Sequence, residues 1–137
     1  MSNLVHFRSI EKVRVENLTS LEIISESSCL LTREPDFKEI NIFELVGVTI
    51  EDSYENHQKI YTTTATFKTC DKEPIVERML AFRVTSLDGK RFLIGTNARP
   101  YPIIKERNPY PEKPTDSTLK TVTVTWKAIY PMLLIIE

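Results

Sequence analysis

Glycine is scarce in this chain: three residues in 137. Phosphate-cradling loops need glycines where backbone amides close on an anion, and neither a P-loop nor a GxGxxG pattern occurs. Histidine is as rare, at two residues, His6 and His57, and neither stands in a metal-ligand spacing such as HExxH. His57 falls in the polar stretch Glu55-Asn56-His57-Gln58, where a solvated loop histidine is expected. No GxSxG nucleophile elbow is present. The two cysteines, Cys29 and Cys70, form no CxxC pair. Two free thiols are the simplest reading, with a single bridge as the alternative. The acidic residues Glu51, Asp52 and Glu55, and Asp71 with Glu73, match no cation-binding loop and read as solvated turns.

Charge of one sign is also missing. Eighteen Lys and Arg balance nineteen Asp and Glu, for a net charge of -1. The basic residues are scattered, so the attraction that nonspecific nucleic-acid binding needs is absent. No apolar run is long enough for a membrane-spanning helix. The first eleven residues carry charges too early for a signal peptide, so a cytoplasmic location is expected. These absences together lead us to expect no catalytic centre, no cofactor, no metal, and neither nucleic acid nor membrane as a partner.

What the chain does contain is alternation. Phe82-Arg83-Val84-Thr85-Ser86-Leu87-Asp88-Gly89-Lys90-Arg91-Phe92-Leu93-Ile94 reads as a β-hairpin turning at Asp-Gly. A two-residue loop would pair Leu87 with Lys90 and mix apolar with charged side chains on each face. A three-residue loop pairs Ser86 with Lys90 and sets Phe82, Val84, Phe92 and Ile94 on one face, with Arg83, Thr85 and Arg91 on the other and Leu93 as the exception there. Hydrophobic pattern decides register, so the second arrangement is expected, with Gly89 left-handed in a G1 bulge.

Further strands are expected at Lys12–Glu16, Leu21–Ser25, Ile42–Glu51, Gln58–Thr69, Lys120–Lys127 and Met132–Ile136. Gly47 marks a candidate bulge. Residues 34–39 could form one helical turn behind Pro35. Residues 76–86 fit a helix or a strand, and the unbroken run into the hairpin favours a strand. Thr62, Thr64 and Thr66, like Thr121, Thr123 and Thr125, read as solvated faces of neighbouring strands, where Thr–Thr pairs add modest stability. An ice-like or sugar-binding array is the functional alternative for such faces.

Strands at short spacing without a convincing long helix predict one mostly β domain over residues 1–137. It should be an antiparallel sandwich or a partly open small barrel with at most one or two short helices. The expected core is Val13, Val15, Ile23, Val46, Val48, Ile50, Phe67, Phe82, Val84, Phe92, Ile94, Val122, Val124 and Trp126.

Asn97-Ala98-Arg99-Pro100-Tyr101-Pro102 is echoed by Arg107-Asn108-Pro109-Tyr110-Pro111. Proline fixes φ and lacks an amide donor, so both stretches are excluded from a central strand and should stiffly bracket Ile103–Glu106. The tyrosines could pack as lids on the core. Alternatively Arg99, Tyr101, Arg107 and Tyr110 form a docking element for another protein, being of the residue types that carry interface energy.

From Phe82-Arg83-Val84-Thr85 through Leu93-Ile94-Gly95-Thr96 to Thr121-Val122-Thr123-Val124-Thr125-Trp126-Lys127, the C-terminal half resembles small β-rich virion-assembly proteins of bacteriophages and prophages. That resemblance implies a non-enzymatic structural protein, in the cytoplasm or the virion, whose partners are other protein chains or copies of itself. The alternative expectation is a small β-barrel binding module for an apolar or carbohydrate ligand.

Overall fold

The computed structural model describes residues 3–33, 35–69, 79–98, 100–107 and 120–136. Its strands are β1 (Asn3–Arg14), β2 (Leu21–Ser25), β3 (Ser28–Leu31), β4 (Lys38–Glu39), β5 (Ile42–Glu55), β6 (Gln58–Thr69), β7 (Leu80–Ser86), β8 (Arg91–Ile94), β9 (Ile103–Arg107), β10 (Lys120–Ala128) and β11 (Leu133–Ile136). All eleven belong to one sheet, in the order β2-β3-β11-β8-β7-β1-β5-β6-β10-β9, with β4 pairing beside β1. Every pairing is antiparallel except β3 with β11. The path does not close: β2 and β9 are its two ends. Helical structure among the described residues is confined to one 3-10 turn, Val15–Asn17. The mostly β expectation therefore holds, as a large, open, mostly antiparallel sheet.

The hairpin takes the expected register. Phe82 pairs with Ile94, Val84 with Phe92 and Thr85 with Arg91. The Ser86 amide donates to the Lys90 carbonyl (2.7 Å) and the Gly89 amide to the Ser86 carbonyl (3.1 Å), while Gly89 has φ +94°. The Asp88 carboxylate accepts from the Ser86 hydroxyl, and this bond holds its pKa below the usual value. The expectation of an outer, polar face is corrected. Arg83 and Thr85 are buried like Leu93, so β7 is covered on both sides.

That second cover comes from the segment before β5. The helical turn expected over residues 34–39 does not form within the described residues. Residues 35–37 are irregular, and Lys38 and Glu39 pair with Lys12 and Glu11 of β1. The Phe37 amide donates to the Pro35 carbonyl (2.9 Å), a tight turn that no helix contains. Phe37 then lies over the Arg83 guanidinium, 4.0 Å from its ring centroid, and Arg83 forks onto the Glu11 carboxylate at 3.0 and 2.6 Å. A bidentate pair stacked on an aromatic ring satisfies a cation that could not otherwise be buried.

Two bulges explain where alternation misled. In β1 the register slips between Phe7 and Ser9, so Phe7 opposite Ser86 and Ile10 opposite Val84 share a face at a spacing of three. The sequence reading opened this strand at Lys12 because its inward residues lack a period of two. In β5, Phe43 faces Lys68 while Gly47 faces Thr66. Four steps on one strand oppose two on the other, and the irregularity ends at the expected Gly47, with Glu44 at φ +68°.

The core holds Trp126, Phe7, Phe82, Ile10, Leu18, Leu93, Ile94 and Leu133 as its largest fully buried side chains. Phe7 meets Phe92 edge to face, with ring centroids 5.8 Å apart. Most of the expected core is buried, while Ile50 and Phe92 are half-covered. Ile23 is the correction: it is exposed, because β2 ends the sheet and one flank of its side chains has no strand neighbour among the described residues.

Candidate functional site: the free edges of the sheet

The proline-rich stretch builds one edge. After β8 the chain turns at Gly95, φ +104°, where a Cβ would lie 2.9 Å from Pro102 Cγ. The buried Pro102 therefore seats directly on the glycine. Trp126 Nε1 donates to the Pro100 carbonyl (3.1 Å), and Asn97 Nδ2 donates to the Leu18 carbonyl (3.0 Å). These ties deliver β9 to the end of the sheet with β10 as its only strand neighbour among the described residues. The sequence reading expected no strand between the two proline stretches; β9 forms there, and the described prolines 100 and 102 stay outside it, as expected.

Of the four docking candidates, the structure describes two. Tyr101 is half-buried against the core, which is the lid arrangement. Arg107 is exposed at the last position of β9. Arg99 and Tyr110 lie outside the described residues. Along β9 the side chains split by face. Ile103, Lys105 and Arg107 are exposed, Ile104 packs on the core, and Glu106 is turned inward to accept from Lys120 Nζ at 3.1 Å. This pair is almost fully buried, with side-chain exposures of 7% and 9%. A buried ion pair fixes geometry more than it adds stability.

The opposite edge is β2. Among the described residues it pairs with β3 alone, and a bulge falls between Ile23 and Ser25. Glu22, Ile23 and Ile24 are all exposed, as is Glu26 in the turn that follows. A shallow depression lined by Thr19, Ser20, Leu21, Glu22, Thr32 and Arg33 runs beside it. This edge escaped the sequence reading. Two adjacent isoleucines without alternation were the available signal, and they read equally well as core.

Between the edges lies the threonine surface. Thr64 faces Thr49 on one side and Thr125 on the other, and Thr66 faces Thr123. The two threonine sets thus sit on neighbouring strands, as expected, and all six side chains are at least partly exposed. Beyond this surface β5 and β6 continue past their neighbours as an arm, with residues 51–59 exposed throughout. Asn56 and His57, both at positive φ, form a two-residue turn between Glu55 and Gln58. Tyr54 is the most exposed large hydrophobic side chain on the arm, at 75%. Lys59 reaches Asp52 (3.3 Å), and Lys127 reaches Glu55 (2.8 Å). His57 is a solvated loop residue, and the turn is shorter than the polar run Asp52–Asn56 suggested.

Cys29 is buried and unbridged; Cys70 lies outside the described residues. Among the described residues no group of three or more His, Cys, Asp or Glu side chains is placed to hold a metal ion, and no helix is long and apolar enough to cross a membrane. Comparison with protein families, curated sequences and solved structures gives no match.

Proposed function

We propose that this protein is a non-enzymatic assembly component that works by contact with other protein chains, in the manner of the phage virion proteins that its C-terminal half resembles. A place in the virion or the cytoplasm belongs to the same proposal. The observation that carries it is the open sheet. Both end strands carry exposed isoleucines and have one strand neighbour each among the described residues. An unpaired strand presents amide and carbonyl groups that another chain can extend, and neighbouring side chains give that pairing its specificity.

The ligand-barrel reading draws less support. The strand path is open, and Trp126, Phe7 and Phe82 are fully buried in the core.

Cross-linking with an amine-reactive reagent in the intact source, followed by peptide identification, tests the proposal. Lys105 on β9 should link to residues of other chains. Links from Lys105 that are wholly intramolecular, under conditions where Lys59 reacts readily, would overturn it.

A further inference from the structure

We infer that copies of this protein join head to tail, with the β2 edge of one against the β9 edge of the next. The inference rests on the assembly reading and names the partner as a second copy of this chain. Each end strand is five residues long. The β2 edge is acidic, with exposed Glu22 and Glu26 on either side of exposed Ile23 and Ile24. Arg33 hydrogen-bonds to Ser20, past the opposite end of β2 from Glu26. The β9 edge is basic, with exposed Lys105 and Arg107 beside exposed Ile103, while Glu106 is occupied inside by Lys120. None of the side chains of Glu22, Glu26, Lys105 and Arg107 has a hydrogen-bond or ion-pair partner among the described residues.

This distribution selects one pairing out of three. Two β2 edges would gather four glutamates, and two β9 edges four cations; like charges brought together across a ladder destabilise it. The mixed pair alone is complementary. Set antiparallel with Glu22 opposite Lys105, it brings Ile24 opposite Ile103, so the exposed isoleucines lose water together. Backbone hydrogen bonds supply affinity and the charges supply the choice of edge. A pairing that uses different surfaces on the two partners leaves one free edge at each end, so it propagates to a ring or a filament.

Charge reversal tests this directly. Glu22→Lys with Glu26→Lys makes both edges basic; Lys105→Glu with Arg107→Glu makes both acidic. All four positions are exposed, and circular dichroism checks that each variant folds. By sedimentation velocity the unaltered chain should gain mass with concentration and lose it with added salt. Each variant alone should remain monomeric, and an equimolar mixture of the two should regain the association. Should a reversed variant fail to fold, Glu22→Gln and Lys105→Gln should each weaken association. An unaltered chain that stays monomeric at its highest soluble concentration overturns the inference. So do variants that associate as well as the unaltered chain, or a mixture that does not recover. A monomeric chain whose Lys105 still links to other proteins removes the self-pairing and leaves the assembly reading standing.

Discussion

Gly89 and Gly95 look alike in sequence and differ in structure. Both have positive φ, but a Cβ on Gly89 would meet nothing within 4 Å, whereas on Gly95 it would strike Pro102 at 2.9 Å and Ala81 at 3.2 Å. Gly89→Ala should therefore cost only the backbone penalty, about 1 kcal/mol. Gly95→Ala adds overpacking and should cost about 3 kcal/mol, both read from denaturant midpoints. Thr63 is fully buried, and its hydroxyl has no hydrogen-bond partner among the described residues. Thr63→Val removes that unmet group at nearly constant shape, so stability should be unchanged or rise by about 1 kcal/mol in the same measurement. Burial pushes the Cys29 thiol from 9.0 up to about 11. Between those values the folded chain keeps a proton that the unfolded chain has lost. The contribution of Cys29 to stability is thus complete below about pH 9.0 and falls as pH rises toward about 11. Peptide mapping after alkylation at neutral pH should find Cys29 protected in the native protein and labelled after denaturation.

At the scale of elements, the exposed β5–β6 arm and the buried β7 are opposites. Residues 51–59 bury little, and the ion pairs of the arm are exposed ones, of the kind worth about 0–1 kcal/mol. Replacing residues 54–59 by an Asn-Gly turn, which keeps Ser53 opposite Ile60, should leave the melting temperature nearly unchanged. A fall as large as that from Gly95→Ala would show that the arm packs on the body. β6 and β10 were legible almost to the residue, because long unbroken alternation with β-branched side chains permits one reading. β1 and the end of β5 were not. The bulge at Phe7–Ser9 breaks the period in the first, and the polar run Asp52–Glu55 carries no apolar signal in the second. For the candidate site, Pro100 and Pro102 signalled a rigid connection at the sheet rim but not the strand β9 that follows, and nothing in Leu21–Ser25 distinguished an edge strand from a core strand.

For the whole molecule, β11 is the junction. It lies between β3 and β8, so the β2–β3 hairpin reaches the rest of the sheet through it. Deleting residues from Leu133 onward should release that hairpin: hydrogen exchange should lose protection over Leu21–Leu31 while β6 and β10 keep theirs. Uniform loss of protection would instead mean that the sheet unfolds as a single block. The acidic half of the proposed pairing sits on this hairpin, so the truncated chain should also lose any self-association.

Elements with local signals could be read from the order of residues. A period of two, Asp-Gly at a turn and clustered prolines act within a few residues; together they gave the β class and the hairpin register, while β9 and its edge position went unread. Tertiary structure alone decided which strand lies beside which, and so which faces are buried. Arg83 is inside because Glu11 and Phe37, distant in sequence, arrive on top of it. Ile23 is outside because no strand arrives beside β2 among the described residues. Burial depends on the neighbours that long-range pairing supplies, and that information is not carried by any single segment.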